Sequence, residues 1–327
     1  MILAGDIGGT KTVIALFETT AVGLRQYRDA TFPSKDHKSL EEILTKFLQD
    51  ESGAPLQGGC FGVAGPVIGG KSKTTNLPWE LDEQALAKAT GAPRVKLLND
   101  LEAAAYGMLH LKADEFCVLN QGADTERQGN IAVIAAGTGL GEAMLLWDGK
   151  QHHPIASEGG HSDFAPRSTQ EIELFNYLRD KHGTHVSYER VLSGPGLLDL
   201  YTFFRQSSGK PEPSWLSEKL QSGDASAAVT AVGLAGEDPI CVQTLEVFAS
   251  IYGAEAGNLA LKCLAVGGVL IGGGIAPKML PALQSAHFMA GFTDKGRYAD
   301  LMQSMAVKVA LNPRAPLIGA AHYALRA

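Results

Sequence analysis

Cysteine is scarce in this sequence, and its four copies lie far apart. Cys60, Cys117, Cys241 and Cys263 form no C-x-x-C pair, and each stands in or beside an apolar stretch. Scattered cysteines of this kind are typical of buried thiols in a reducing compartment. The pattern therefore argues against a disulfide framework and against a cysteine-based zinc site.

Basic residues and long apolar runs are lacking as well. Lys and Arg number 28 against 35 Asp and Glu, a net charge of −7, whereas binding a nucleic-acid backbone needs a basic face. The first residues have no basic segment of the kind that opens a secretion signal. The most apolar window, residues 263–276, is shorter than the roughly 20 residues that span a bilayer. We expect a cytoplasmic protein whose partners are neither nucleic acid nor membrane.

Glycine is abundant, at 38 of 327 residues, against an average near 7%. Proline is ordinary at 15, and no G-X-Y period occurs, so neither a disordered Pro/Gly-rich chain nor a collagen is indicated. The surplus glycine predicts defined positions where the backbone needs positive φ or a close approach. The length predicts two domains.

Two segments share a pattern of strand, glycine turn and strand. In the first, apolar residues 1–3 and 12–17 flank the turn; in the second, 131–136 and 143–147 do so. Each pattern predicts a β-hairpin, and the recurrence indicates two related α/β halves. Apolar periodicity predicts helices over 39–50, 82–90, 101–111, 169–181, 194–204, 239–265, 278–285 and 316–324, and further strands over 58–67, 94–98, 267–275 and 307–311.

Residues 65–72 match the phosphate-loop pattern G-x-x-x-x-G-K-[ST]. That loop works only if a helix begins at the Lys-Ser pair, so that its first amides face the phosphates. Here two threonines and Pro78 follow closely, and they disfavour a helix. A hairpin with a glycine turn explains the segment better, and we set the phosphate-loop interpretation aside.

A different phosphate chemistry is available at Asp6-Ile7-Gly8-Gly9-Thr10. Glycine amides and a threonine hydroxyl can surround an anion, and Asp6 could hold Mg²⁺ through water. An ordinary Gly-Gly hairpin explains this turn equally well. The turn Gly137-Thr138-Gly139 repeats the chemistry, and two such turns could clamp a triphosphate. The pair, rather than either turn, indicates a nucleotide.

Other segments carry polar or flat surfaces. Asn99-Asp100 lies between a strand and a helix, where it is either an N-cap or a catalytic carboxylate at a strand's end. Residues 272–274 form a glycine run that is either a tight turn or a surface for a planar group such as adenine.

The segment Glu158-Gly159-Gly160-His161 combines an acceptor and a donor around two glycines. The glycines break the helix that a zinc-protease motif needs, and no cysteine is near. Recognition of vicinal hydroxyls is the better interpretation. Glu189 could add an acceptor, although its local pattern favours an ordinary glutamate on a helix surface.

Taken in order, these motifs resemble those of the zinc-free bacterial glucokinases, in the hexokinase/actin-like ATPase superfamily. The similar segments span nearly the whole chain, at residues 6–10, 62–66, 98–102, 136–141, 157–166, 189–196 and 272–275. Residues 162–167 lack the cysteines of the related zinc-dependent branch. The resemblance therefore implies ATP and Mg²⁺ as cofactors, and no zinc.

The resemblance implies an α/β, two-lobed actin-like ATPase (ribonuclease H-like) fold with its active site in the interlobe cleft. The small domain would comprise 1–110 plus 312–327, the last helix returning to it, and the large domain 111–311. The implied activity is phosphorylation of D-glucose to glucose 6-phosphate, the first step of glycolysis, by a homodimer.

By the same resemblance Asp100 is the general base for the 6-hydroxyl and Asp6 orients Mg²⁺, through water. The implied sugar-binding residues are Asn76, Asn99, Asp100, Glu158, His161 and Glu189. The implied nucleotide-binding residues are Asp6, Gly8, Gly9, Thr10, Lys11, Gly137, Thr138, Gly139, Gly273 and Gly274. The role of Lys11 is not a required one, because many members of the family carry Asn there.

Three other functions remain open. A kinase for mannose, fructose or N-acetylglucosamine would share these motifs. A sugar-responsive, non-catalytic regulator would need an N-terminal helix-turn-helix, for which the residues before Asp6 leave no room. A filament-forming or chaperone-like ATPase would share the nucleotide turns but not the sugar-reading segment.

Overall fold

The computed structural model describes residues 1–49, 55–74, 77–124, 127–183 and 185–326. The chain forms two compact units, one of residues 1–115, 151–156 and 312–327, the other of 116–150 and 157–311. The predicted small domain ends at residue 110 and lacks 151–156. The predicted domain boundaries stay a prediction.

The strands are β1 (Ile2–Ile7), β2 (Lys11–Thr20), β3 (Gly23–Pro33), β4 (Gly58–Val63), β5 (Val67–Ile68), β6 (Lys71–Lys73), β7 (Glu80–Asp82), β8 (Val95–Asn99), β9 (Phe116–Asn120), β10 (Ile131–Ala136), β11 (Leu140–Trp147), β12 (His152–Ser157), β13 (Gly268–Gly272) and β14 (Val307–Ala310). The α-helices are α1 (Leu40–Leu48), α2 (Glu83–Thr90), α3 (Asp100–Met108), α4 (Thr169–His182), α5 (Gly194–Ser207), α6 (Ser214–Gln221), α7 (Ala225–Leu234), α8 (Pro239–Cys263), α9 (Leu280–Leu283), α10 (Ala286–Thr293), α11 (Ala299–Gln303) and α12 (Ala315–Ala324). Short 3₁₀ helices cover Ser34–Asp36, Ala113–Glu115, Gly159–His161, Tyr188–Arg190 and Gly296–Tyr298.

The main sheet of the first unit has the order β3-β2-β1-β4-β8. β1 and β2 pair antiparallel, with Ile7 opposite Thr12, so the predicted first hairpin is confirmed. β4 is parallel to both β1 and β8. Periodicity does not predict β3, because this edge strand exposes most of its residues and carries no continuous apolar face.

The helices of the first unit cover the sheet with small or apolar residues. α1 buries Leu40, Ile43, Leu44 and Phe47, as its period predicts. The last helix, α12, packs on α3, β1 and β4, which confirms its expected return to this unit. α3 and α12 approach so closely that a side chain at Gly107 would overlap the carbonyl of Ala315, and glycine at this position therefore permits the contact.

The segment that matches the phosphate-loop pattern is a hairpin. β5 and β6 pair antiparallel around Gly69 and Gly70, whose φ angles are +60° and +75°. Lys71 and Ser72 lie in β6, so no helix begins at the Lys-Ser pair. The predicted hairpin with a glycine turn is therefore confirmed, and the segment is not a phosphate loop.

The sheet of the second unit repeats this arrangement. β10 and β11 form the second predicted hairpin, and β13 runs parallel to β10. β14 is parallel to β13, and β9 is antiparallel to β14 at the edge. In both units, therefore, an antiparallel hairpin is continued by two parallel strands, the recurrence that the sequence predicts.

The second unit is centred on α8, a 25-residue helix that ends where Leu264 adopts a left-handed conformation with φ of 47°. The helix predicted over 278–285 is wrong in extent: only Leu280–Leu283 are helical, because turns occupy residues 273–279.

Of the described helices, none is long and apolar enough to cross a membrane. Cys117 and Cys263 are only half-buried, contrary to expectation, whereas the other two cysteines are buried.

Candidate active site

The turn between β1 and β2 is held in shape by a serine from outside it. Ser34 Oγ donates to the Gly8 carbonyl at 2.7 Å and its amide donates to the Thr10 carbonyl at 3.0 Å. The Ser34 hydroxyl also lies 2.9 Å from Thr12 Oγ1, and both residues are fully buried. These contacts fix the turn without any ligand. No sequence pattern predicts this role of Ser34, because a single serine after a proline does not indicate a contact with a distant turn.

Asp6, near the end of β1, lies close enough to a second carboxylate for the charge of that group to affect it. Burial and the charge of Asp100 raise the pKa of Asp6 to about 6, against the opposing charge of Lys11. Two neighbouring carboxylates repel each other when both are ionised, and a divalent cation would relieve that repulsion. Among the described residues, no group of three or more His, Cys, Asp or Glu side chains could hold a metal ion.

Asn99 confirms the helix-cap interpretation of this pair, and the catalytic role of Asp100 stays a prediction. Asn99 caps α3 by accepting from the Leu101 amide at 2.9 Å, and Glu102 accepts from the Asn99 amide at 2.9 Å. The Asn99 amide group also donates to the Gly65 carbonyl at 3.2 Å. Asp100, the first residue of α3, is exposed. The cap thus holds an accessible carboxylate at the carboxyl end of β8.

Asn76, the remaining sugar-binding prediction in this part of the chain, lies outside the described residues.

In the second unit the glycine turn between β10 and β11 is joined to the start of α5. The Gly137 amide donates to the Gly139 carbonyl at 2.8 Å, and the Gly194 amide donates to the Gly137 carbonyl at 2.9 Å. Ser193 caps α5 by accepting from the Gly196 amide at 3.1 Å. The amides of Gly194 and Gly196 are thus already bonded, and residue 195 is a proline without an N–H group. Beside the Gly-Thr-Gly turn, the start of α5 therefore offers an anion only the positive end of its helix dipole.

A cavity of about 800 Å³ opens next to this turn, within the second unit. Gly137, Thr138 and Gly274 line it, so three of the predicted nucleotide-binding residues share one space. Its apolar wall includes Leu197 of α5 and Leu234 of α7. Cavities of about 300–1,000 Å³ with mostly apolar walls are the usual sites of small ligands.

The sequence analysis missed the contribution of α7 to this cavity. Asp224 caps α7 and Ser226 Oγ donates to the Gly194 carbonyl at 2.6 Å, which ties α7 to the start of α5. Both Asp224 and Ser226 line the cavity, and Lys278 reaches it as well. In sequence, Asp224 looks like any helix cap, so no local signal could reveal this role.

The two glycines after β13 differ in what surrounds them. Gly273 has a φ of +81°, and a side chain there would overlap the backbone of Ala136. Gly274 has open space where a side chain would lie, and it lines the cavity. The first glycine is therefore required by packing, whereas the second exposes backbone to a ligand.

The turn that carries Glu158 and His161 lies directly on β11. A side chain at Gly160 would overlap the Leu140 carbonyl, and one at Gly159 would overlap the Glu142 carboxyl group. The two glycines are thus required by close contact with the strand. They fix the positions of the acid and the imidazole on either side of them.

Glu189 is not an ordinary glutamate on the surface of an α-helix, so the interpretation favoured by its local pattern is wrong. It lies in the 3₁₀ helix Tyr188–Arg190, and its Oε2 accepts from the Leu140 amide at 2.9 Å. Its Oε1 lies 3.9 Å from His161 Nδ1. The side chains of His161 and Glu189 are 58% and 31% exposed. The structure therefore brings together two predicted sugar-binding residues, an acceptor and a ring nitrogen, both accessible to a ligand.

Comparisons with known proteins agree over the whole chain. The glucokinase family model matches residues 3–327. A glucokinase of Nostoc punctiforme is 41% identical over 339 residues, covering 100% of this chain and 99% of the relative.

Solved structures match as well. A glucokinase from an Antarctic psychrotroph is 32% identical with a TM-score of 0.87, covering 100% of this chain and 99% of that one. A ROK family glucokinase from Streptomyces griseus, in complex with glucose and AMPPNP, is 20% identical with a TM-score of 0.65 over 100% of this chain and 99% of that one, a likeness of fold alone. The α/β fold is the actin-like ATPase fold that the sequence resemblance implies.

Proposed function

Because the chain belongs to the glucokinase family and is an enzyme of the hexose-kinase kind, we propose that it transfers the γ-phosphoryl group of Mg-ATP to the 6-hydroxyl of D-glucose. One observation carries the proposal. The carboxyl group of Glu189, which could accept hydrogen bonds from sugar hydroxyls, accepts one from the Leu140 amide, and Leu140 directly follows the Gly-Thr-Gly turn at the cavity. A polar site suited to hydroxyls and a space suited to a nucleotide therefore share one turn.

The cavity of the second unit would hold the nucleoside. Leu197, Leu234 and the neighbouring small residues offer apolar walls for a base, and Gly274 offers flat backbone. The amides of Thr138 and Gly139 would bind phosphate oxygens, with the positive end of the α5 dipole beside them. The turn Gly8-Gly9-Thr10 of the first unit, with Lys11 beside it, would bind phosphate oxygens by the same chemistry.

Asp6 would hold Mg²⁺, and its surroundings fit that ion. Mg²⁺ is bound through one or two carboxylates and keeps several waters, and Asp6 is a half-buried carboxylate with a second one, Asp100, close enough to raise its pKa. When bound, Mg²⁺ neutralises charge on the β- and γ-phosphates. Zinc has no part in the proposal.

Asp100 would act as the general base. Its reference pKa is near 4 and that of an alcohol near that of water, about 16, so it cannot remove the proton in advance. As O6 bonds to the γ-phosphorus and the bridging oxygen leaves with ADP, the proton passes to Asp100 in a loose transition state. The cap at Asn99 holds Asp100 in place for this step.

The sugar hydroxyls would be read by polar groups whose positions are already fixed. Glu158 and His161 flank the glycines that lie on β11, and Glu189 is tied to Leu140. Asn99 and Asn76 would add contacts. These roles suit a hexose with vicinal hydroxyls, and glucose is the substrate that we propose, because the related proteins are named as glucokinases.

Glucose-dependent ADP formation by the purified protein tests the activity, with mannose, fructose and N-acetylglucosamine in parallel. We expect the highest kcat/KM for glucose. A higher value for another hexose would replace the substrate, and no turnover with any of them would refute the activity. The homodimer and the cytoplasmic location stay predictions, the first of which sedimentation decides.

Asp100→Asn tests the base, with Asp114→Asn, an exposed aspartate of the same unit, as the control. We expect kcat to fall about 10²–10⁴-fold while glucose binding is retained, since general-base catalysis contributes about that much. The control should keep wild-type turnover. If Asp100→Asn binds glucose and turns over within a factor of about ten of wild type, Asp100 is not the base.

A further inference from the structure

Two glutamates lie buried side by side in the second unit, outside the proposed catalytic set. Glu142 on β11 is 1% exposed and Glu255 on α8 is 0% exposed. The Oε1 atoms of both glutamates are buried and have no hydrogen-bond partner among the described residues, and Glu255 lies close enough for its charge to raise the pKa of Glu142. A carboxylate can only accept hydrogen bonds, so a bond between the two requires that one of them carry a proton.

The surroundings decide which glutamate is protonated. Lys262 Nζ lies 3.7 Å from Glu255 Oε1, and Asn258 donates to Glu255 Oε2 at 2.8 Å. A nearby cation and a hydrogen-bond donor both favour the ionised form. Burial and the charge of Glu255 raise the pKa of Glu142, so Glu142 holds the shared proton.

The pair touches both segments that carry the predicted sugar-binding residues. The carboxyl group of Glu142 lies against Gly159, in the turn between Glu158 and His161. Asn258, which donates to Glu255, also donates to the hydroxyl of Tyr188 at 3.0 Å, and Tyr188 precedes Glu189 in the chain.

A backbone bond joins the same two segments, because the Tyr188 amide donates to the Ser162 carbonyl at 3.0 Å. The glutamate pair and this bond thus lie beneath one polar surface.

We propose that Glu142 and Glu255 are positioning residues that share one proton, and that this O–H···O⁻ bridge holds the turn with Glu158 and His161, and the segment with Glu189, in the geometry that binds the sugar. The inference rests on the proposed function. If the shared proton is lost, two carboxylates face each other in a buried place, and their repulsion drives Glu142 against Gly159. The turn then moves, although neither glutamate touches the sugar.

The charges around Glu142 set the direction of its titration. On α8 it faces Glu255, Lys262 and Tyr252, and the 3₁₀ helices packed nearby carry His161 and Tyr188. Burial and the charge of Glu255 raise the pKa of Glu142 to about 8, against the opposing effect of Lys262.

Neither Tyr252 nor Tyr188 loses its proton near pH 8, because burial raises the pKa of each well above its usual value. Below about pH 7 Glu142 is therefore protonated and the bridge is intact. Above about pH 8 the bridge is lost.

The test compares Glu142→Gln with Glu142→Ala by calorimetric sugar binding and by kinetics between pH 6 and 9.5. We expect wild-type affinity for glucose to fall about tenfold as the pH rises from 7 to 9.5, the size expected for one lost hydrogen bond to a charged group. Glu142→Gln keeps an N–H donor that does not titrate, so it should bind glucose within about threefold of wild type at pH 7 and show no alkaline fall.

Glu142→Ala should bind glucose about tenfold more weakly at every pH, with the KM for ATP unchanged, a split that general destabilisation would not produce. Glu173→Gln, on an exposed position of α4, is the matched control and should behave as wild type. An alkaline fall in Glu142→Gln equal to that of wild type, or wild-type affinity in Glu142→Ala, overturns the proposal.

Infrared difference spectroscopy of the unmodified protein reads the proton directly and does not depend on whether a variant folds. A protonated-carboxyl band should be present at pH 7 and disappear near pH 8, whether or not a sugar is bound. Absence of the band at pH 7 overturns the shared proton itself. A protein that shows the band but binds no hexose refutes the proposed function, and the positioning role with it.

Discussion

Gly273 and Gly274 are neighbours whose replacement by alanine should give opposite results. Gly273 has a left-handed φ of +81°, and a new side chain would overlap backbone atoms of Ala136. Backbone cannot rotate away as the end of a flexible side chain can. Gly274 has no such neighbour and lines the cavity beside Thr138.

The cost at Gly273 can be worked from these two effects. The left-handed conformation costs a residue with a side chain about 1–2 kcal/mol, and overpacking costs about 1–3 kcal/mol. Together they predict a loss of about 2–5 kcal/mol in the free energy of unfolding. At a few degrees per kcal/mol for a unit of this size, Gly273→Ala should lower the Tm by about 10 °C.

Gly274→Ala should instead leave the Tm unchanged and act on the nucleotide. A methyl group in the cavity takes space from the ligand, and one methyl group in a fitted pocket changes binding about tenfold. The KM for ATP should therefore rise about tenfold, while the KM for glucose stays at its wild-type value.

Thermal unfolding by circular dichroism and steady-state kinetics separate the two variants. A Tm of Gly273→Ala within about 2 °C of wild type would refute the packing argument, since both costs are read from the backbone. An unchanged KM for ATP in Gly274→Ala would show that the cavity is not where the nucleotide binds.

Three further variants test other contacts. Ser34→Ala removes the 2.7 Å bond to the Gly8 carbonyl and should raise the KM for ATP about tenfold in steady-state kinetics, whereas an unchanged KM would mean that this bond does not hold the turn. Lys71→Ala should keep activity within about twofold, because Lys71 lies on an exposed strand; a hundredfold loss would restore the phosphate-loop interpretation. Burial and the stacked ring of His322 lower the pKa of His110 to about 4, below its usual 6.5, so the unfolded chain binds more protons and stability falls as the pH drops from 6.5 towards 4. His322→Phe should reduce that fall, because it removes the neighbouring charge and keeps a ring over His110, and urea unfolding at pH 7 and pH 5 measures the change.

Patterns within short stretches of sequence determined much of this protein. Alternating apolar residues around glycine turns predicted both hairpins, and Asn99 was identified as a helix cap from its place between strand and helix. The two threonines and the proline after Lys71 excluded a phosphate loop. These features depend on neighbours in the chain, which the sequence displays directly.

Contacts between distant segments were decided only by the tertiary structure. The local sequence around Glu189 indicates a surface residue, whereas the structure bonds it to the amide of Leu140, 49 positions earlier. Ser34 holds a turn 26 positions before it, and Glu142 meets Glu255 across more than a hundred residues. Periodicity reports which face of an element is buried but not which element covers it. The motifs therefore indicated the chemistry, whereas packing at long range determined which side chains support it.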